Sequence, residues 1–199
     1  MATRKRWLQR SRRTGFTLIE SLVAVTITAI AGAALFSAIG SSLGSTYSAL
    51  NKTIGAGLTD QLLDELAAAR FPTSSDSRPA RSSSRKDFDD LDDYHNWSAS
   101  PPVNKDGFAL GNEPITILER YPIARPSILI PDTEFLSRLT REVTVERIRP
   151  DNIIGWIVTT DDTDFRRVTV RTKLAASSSA PSHTISEATR IFSYVPLSP

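Results

Sequence analysis

Glu20 is the only charged residue in the apolar run 16–39 that follows Gly15. An intramembrane carboxylate costs a few kcal/mol unless it is paired or lies near the interface, so the chemistry open to Glu20 is that of an ion pair. Six basic and no acidic residues precede Gly15, namely Arg4, Lys5, Arg6, Arg10, Arg12 and Arg13. A second reactive cluster lies downstream: Asp87, Asp89, Asp90, Asp92 and Asp93 fall in one short stretch and are followed by Tyr94, His95 and Trp97. Hard carboxylate oxygens suit Ca²⁺, yet the spacing lacks the glycine and distal glutamate of an EF-hand loop. The reading adopted is a solvated acidic turn anchored by Tyr94 and Trp97, with Ca²⁺ the alternative and no cofactor expected. His95 could ligate a metal; the plainer reading is a surface or hydrogen-bonded loop histidine. Catalysis finds little support, since the chain has no cysteine, and its two histidines are His95 and His183, the latter in a Ser-rich segment. Neither a glycine-rich phosphate loop nor a zinc-spaced ligand set is present. The expectation is a chain that is not an enzyme.

The elements that carry these residues follow from length and period. The 24 residues of 16–39 make about 36 Å of helix at about 1.5 Å per residue, enough to cross a hydrocarbon core of about 30 Å with some tilt. Basic residues stay cytoplasmic, which places the N-terminus inside and everything after about residue 42 outside. A secretory signal peptide would have a shorter apolar core leading into a small-residue cleavage site; here the small residue precedes the run. Beyond it Leu43, Tyr47, Leu50, Ile54, Leu58, Leu62 and Leu66 recur every three or four residues with Asp60, Asp64 and Glu65 between them, an amphipathic stripe. No proline interrupts Phe16 to Phe71, so one long helix ending before Pro72 is expected over about 16–70. Gly32, Gly40, Gly44, Gly55 and Gly57 weaken it by up to about 1 kcal/mol each; they are tolerated, or they allow close packing between subunits.

At this point the chain resembles the type IV pilin and pseudopilin superfamily. The resemblance rests on "RRTGFTLIESLVAVTITAIAGAAL" and covers about residues 4–50. It implies that a prepilin peptidase and N-methyltransferase cuts between Gly15 and Phe16 and methylates the new Phe16 amine. It also implies that Glu20 pairs with the Phe16 amine of a neighbouring pilin subunit as the chain leaves the inner membrane for a filament. The physical case runs the same way, because a buried amine and a buried carboxylate are each expensive alone and much cheaper together. The bland alternatives are a snorkelling carboxylate for Glu20 and a flexible junction for Gly15. The string "DDLDDYHNW" is similar, more loosely, to the segment after the helix in minor pilins of the mannose-sensitive haemagglutinin type.

Loss of residues 1–15 as a leader would take 24 basic residues to 18 against 22 acidic, turning a formal +2 into −4. The basic whole-chain balance therefore reports the leader, and no nucleic-acid partner is expected. Without cysteine no disulfide can staple an exported domain. The remainder, 71–199, is expected to form one extracytoplasmic β-rich domain, with Ser-rich exposed loops at 73–86 and 175–182. Prolines between 98 and 137 allow only short strands, at Ile115–Leu118 and Ile128–Ile130. Clearer strands are expected at Arg141–Ile148, Ile153–Thr159, Phe165–Leu174 and about Ala188–Val195. The fold class is α+β: a long N-terminal helix, half membrane span and half amphipathic, packed on a small antiparallel sheet.

The functional reading is a minor type IV pilin-like subunit. A type II secretion pseudopilin is the alternative within the class, and a single-span membrane-anchored periplasmic binding or adhesion domain that never polymerises is the alternative outside it. Loops in 73–113 are the expected place for partner contacts.

Overall fold

The computed structural model describes residues 17–72, 85–113, 115–117, 121–123, 126–153, 155–177 and 179–195. The basic leader with Gly15 and Phe16, and the Ser- and Arg-rich stretch 73–84, lie outside the described residues. The chain divides into two compact units, Met1–Ser48 and Ala49–Pro199.

Helix α1 spans Leu18–Ala68, 51 residues without a proline. In the first unit its side chains lie on the surface: Leu22, Val25, Ile30 and Phe36 are all strongly exposed. In the second unit the helix buries Gly55, Thr59, Leu62, Leu63 and Leu66. The amphipathic stripe is therefore buried only from about Ile54 onward; Leu43, Tyr47 and Leu50, expected to belong to it, remain exposed. The helix stops at Ala68, where Ala69 N–H turns back to Leu66 C=O at 3.2 Å ahead of Pro72.

The sheet of the second unit is antiparallel. Strand β1 is Ser98–Ala99, β4 Leu139–Asp151, β5 Gly155–Val158, β6 Phe165–Ala175 and β7 Ser182–Ser193. The order is β1-β4-β6-β7, with β5 paired to the far end of β4. Two short strands, β2 (Ile115–Ile117) and β3 (Tyr121–Ile123), form a separate hairpin, and a short helix α2 covers Thr133–Ser137. Val143, Val145, Val168 and Val170 alternate onto one face and meet Leu62, Leu63 and Leu66 of α1, together with Leu91 and Tyr94. Ile54, Leu58 and Ile185 pack on Leu136, Leu139 and Leu174 in a second cluster. Helix and sheet approach closely at Gly55, where an added Cβ would lie 2.8 Å from Ile185 Cδ1. Thr59 Oγ1 meets Thr172 Oγ1 at 2.9 Å in this buried seam.

Several expectations need correcting. The last strand begins at Ser182 rather than at about Ala188, and Ser182 pairs Ala175 directly. Ile153, taken as the start of a strand, is 93 % exposed at the β4–β5 hairpin, and β5 begins only at Gly155. Ser127–Leu129 forms a 3-10 turn in place of a strand, between Pro126 and Pro131, with Ile128 89 % exposed.

Arg85, counted with the exposed loop 73–86, is buried. Its Nε donates to Glu65 Oε1 at 3.1 Å and its Nη2 to Glu65 Oε2, while Tyr94 Oη donates to Glu65 Oε1 at 2.9 Å. Arg85 also lies 4.6 Å over the Trp97 ring. Arg141, the alternating neighbour of Val143, is buried beside this group. Arg85 Nη1 and Arg141 Nη2 both donate to Val103 C=O, the former at 2.6 Å, and Arg141 Nη1 reaches Leu58 C=O and Gln61 Oε1 at 3.4 Å. Burial, and then Arg85, lower the Arg141 guanidinium to about 10, with Glu65 acting in the opposite sense. Burial and the bond to Glu65 push the Tyr94 hydroxyl up. Two buried guanidiniums thus share the Val103 carbonyl, and Glu65, bonded to Arg85 and acting on Arg141 only through its field, is the carboxylate beside them, so removing its charge should cost more than any single contact in the group.

Two predictions follow from this packing. Leu66→Ala should destabilise the chain by about 2–5 kcal/mol, whereas Leu43→Ala should change stability by under about 0.5 kcal/mol, both read by denaturant unfolding of the detergent-solubilised chain. Glu65→Gln, which keeps the shape and removes the charge, should cost about 3–5 kcal/mol in the same assay; a loss below about 1 kcal/mol would mean that the guanidiniums do not depend on it.

Candidate functional site

The N-terminal turn of α1 is built on Thr17. Glu20 N–H donates to Thr17 Oγ1 at 3.3 Å, while Thr17 N–H and Thr17 Oγ1 each donate to Glu20 Oε2 at 3.1 Å. This reciprocal arrangement is a capping box. It satisfies two donors that the start of a helix leaves orphaned, and it sets a carboxylate at the positive end of the helix dipole. The sequence pattern Thr-x-x-Glu at 17–20 signals it, yet a reading that looks only for an intermolecular cation passes over it. Glu20 has a local partner before any neighbour arrives.

The described part of the first unit beyond this turn meets the requirements of hydrocarbon. Helix α1 contains an 18-residue window of mean hydropathy 2.2, none of it buried inside the chain, so it is long and apolar enough to cross a membrane. Hydroxyls within the span need internal acceptors. Thr26 Oγ1 donates to Leu22 C=O and Thr28 Oγ1 to Ala24 C=O, both at 2.8 Å. Cβ atoms added at Gly32, Gly40 or Gly44 would meet nothing within 4 Å. Among the described residues no contact therefore requires glycine at those positions.

The acidic segment divides into two roles. Asp89, Asp90 and Asp93 each bring one carboxylate oxygen within 4.8 Å of the others, whereas Asp87 and Asp92 are not in that group. Within it, Asp93 N–H donates to Asp90 Oδ1 at 3.1 Å, and Asp93 Oδ2 accepts from Asp89 N–H at 3.0 Å and Asp90 N–H at 3.3 Å. Asp89 Oδ2 lies 3.4 Å from Arg70 Nη2. Asp89 Oδ2, Asp90 Oδ1 and Asp93 Oδ2 are thus engaged in holding a turn against the end of α1, while Asp93 Oδ1 is buried with no hydrogen-bond partner among the described residues. Burial raises the Asp90 carboxyl above the ordinary carboxylate range.

Asp92 corrects the expectation of a solvated turn. Arg166, itself buried, donates from Nε to Asp92 Oδ1 at 2.8 Å and from Nη2 to Asp162 Oδ1 at 3.0 Å, and Arg147 Nη2 adds a bond to Asp92 Oδ2 at 3.2 Å. Tyr94 is buried, as an anchor should be. Arg166 lies on the alternating face with Val168 and Val170, so extending the strand period one step toward its start would have found it. His95 turns its Nδ1 to accept from Val145 N–H at 3.3 Å, and His183 sits exposed on β7. Among the described residues no hydrogen bond joins a serine or threonine hydroxyl to either histidine.

A family model described as the prokaryotic N-terminal methylation motif matches residues 10–36, the stretch that holds Thr17, Glu20 and the start of the apolar helix. No curated protein and no solved structure matches the chain.

The capping box predicts a local effect. Thr17→Ala should weaken the first turn by about 0.5–2 kcal/mol, seen as faster amide exchange over residues 18–21 with the exchange of β4 and β6 unchanged. Equal exchange in both proteins would remove Thr17 from the role of cap.

Proposed function

We propose that this chain, which carries the N-terminal methylation motif characteristic of type IV pilins and pseudopilins, is a minor pilin-like structural subunit. It is cut after Gly15 by a prepilin peptidase, methylated on the Phe16 amine, and built into a pilus through α1. The observation that carries the reading is Glu20. It is a lone carboxylate at the first turn of an unburied, membrane-length helix, inside the residues that match the motif.

The motif over residues 10–36 supports this reading, because it is characteristic of subunits that a prepilin peptidase processes and that assemble with others of their kind. In the membrane, Thr17 and the helix dipole hold the Glu20 carboxylate cheaply. As the subunit leaves the bilayer, the carboxylate exchanges those donors for the Phe16 amine of a neighbour, and this ion pair sets the axial register of the two helices. The aliphatic side chains that stay exposed over 18–48 are then covered by the same residues of other subunits. The Asp-rich segment has no part in this assembly; it ties the globular unit together. A secretion pseudopilin would use the same helix chemistry, and the filament from which the chain is recovered separates the two readings.

Intact mass and N-terminal sequencing of membrane-extracted protein, with and without prepilin peptidase, test the processing. The expected product starts at Phe16 and carries one extra methyl group. An uncut chain in the presence of an active peptidase would leave a single-span anchor and sink the assembly mechanism. Glu20→Ala should leave cleavage intact and lower recovery in sheared filaments by about a hundredfold, as expected for loss of a buried pair worth about 3 kcal/mol. Undiminished recovery would exclude Glu20 as the pairing group.

A further inference from the structure

The two edges of the sheet are treated differently. In an antiparallel ladder, residues alternate between those that bond to one neighbour and those that bond to the other. Ala175 N–H donates to Arg138 C=O at 2.9 Å, so even-numbered residues of β4 face β6 and odd-numbered ones face outward. Each outward residue of β4 is met. Leu139 C=O accepts from Ser100 Oγ at 3.0 Å, Arg141 pairs with Ala99, and Val143 N–H donates to Trp97 C=O at 2.9 Å. Val145 N–H finds the His95 imidazole, Arg147 C=O accepts from Thr159 N–H at 2.9 Å, and Arg149 and Asp151 pair with β5. Where no strand reaches, a side chain closes the gap.

The opposite edge is β7, 12 residues long. Tyr194 N–H donates to Asp164 C=O at 2.8 Å, so the even-numbered residues from Ser186 on bond to β6. The N–H and C=O groups of Glu187, Thr189, Ile191 and Ser193 point outward, with no partner among the described residues. Exposed edges are normally blunted by lysine, proline or bulges. Here no lysine or proline occurs in 182–193, and the one register shift, beside Ile185, leaves Ser186–Ser193 regular.

Side chains on the face away from α1 form three rows that end at this edge. They are Glu142–Arg171–Glu187, Thr144–Thr169–Thr189 and Glu146–Arg167–Ile191. In the first row Arg171 Nε bonds Glu187 Oε2 at 2.7 Å, in the second Thr169 Oγ1 meets Thr189 Oγ1 at 3.0 Å, and in the third Arg167 Nε bonds Glu146 Oε2 at 2.8 Å. Charge alternates acid, base, acid across the first row, and the third ends on a half-exposed aliphatic side chain. The next strand therefore needs a basic residue beside Glu187, a hydroxyl or β-branched residue beside Thr189 and an aliphatic one beside Ile191. A second copy of β7 does not supply this. Antiparallel self-pairing centred on Ala188, Thr189 or Arg190 sets either Glu187 or Arg190 close to its own copy, and like charges in such positions are destabilising.

We infer that the free edge of β7 is a strand-addition site for an extended, basic segment of a partner polypeptide, with the alternation aliphatic-x-Thr-x-Lys when it runs antiparallel. This site does not depend on α1 polymerisation, so Glu20→Ala should leave it unchanged.

The test uses the full-length chain in detergent and a nine-residue peptide with Val, Thr and Lys alternating on one side and Ser on the other. Saturable slowing of amide exchange is expected at Glu187, Thr189, Ile191 and Ser193, with β4 unaffected. Glu187→Lys should weaken binding of this peptide about fivefold, by turning an attraction into a like-charge contact, and a peptide with Glu in place of Lys should restore it. Thr189→Pro removes an outward N–H that the fold itself does not use, and it should abolish binding without lowering the unfolding midpoint greatly. If that variant is unstable, the wild-type exchange data and the charge swap still decide. Unchanged exchange at the four amides with millimolar peptide would overturn the inference, as would equal binding of the Lys and Glu peptides. Protection that appears with rising protein concentration alone would assign the edge to a second copy and equally overturn it.

Discussion

In hydrocarbon, a backbone can satisfy its N–H and C=O groups only within its own segment or in a closed barrel. That constraint selects the helical state of α1 and, with it, the treatment of the threonines and the carboxylate in its first half. Thr26 and Thr28 turn their hydroxyls to carbonyls one turn back. Glu20 closes a capping box with Thr17 instead of standing unpaired. The same helix leaves the apolar regime in its second half, where Leu62, Leu63 and Leu66 find the valines of β4 and β6. One element thus serves two apolar environments.

The globular unit is held by more than its aliphatic core. Connecting segments would ordinarily run over the surface. Here the segment 85–97 carries Leu91 and Tyr94 into the core, and ionic contacts fasten it at both ends, Arg85 to Glu65 of α1 and Asp92 to Arg166 of β6. Ion pairs this buried are costly to form and more costly to break singly. The segment also closes the outer side of β4, through Trp97 C=O and the His95 ring. A stretch whose composition reads as a solvated acidic turn is, in the fold, a clasp and an edge cover.

Much of this was legible before the fold was known. The span, the uninterrupted helix, the alternation of β4 and β6 and the motif around Gly15 and Glu20 are all local patterns, set by periods of 3.6 and 2 or by a few adjacent residues. Boundaries were less legible. Ile128–Ile130 has strand composition, but the flanking Pro126 and Pro131 leave it a turn. The first residues of β7 read as loop in the sequence because small polar residues hide the strand period, and its face toward α1 is marked mainly by Ala188 and Phe192.

By itself the sequence determined the long N-terminal helix, its cap and its motif, because helix capping, membrane length and short motifs depend on residues close together in the chain. It could not determine where α1 stops being buried, since that depends on how far the sheet reaches along the helix, or which arginines enter the core. Arg141 and Arg166 lie on inward faces by strand period, yet a charge is tolerated there only where distant partners converge, such as Val103 C=O beside Arg141 and Asp92 beside Arg166. Nor could it say which edge of the sheet stays open. Edge closure depends on residues about 50 positions away in the chain, as between His95 and Val145, and such juxtapositions exist only once the tertiary structure has formed.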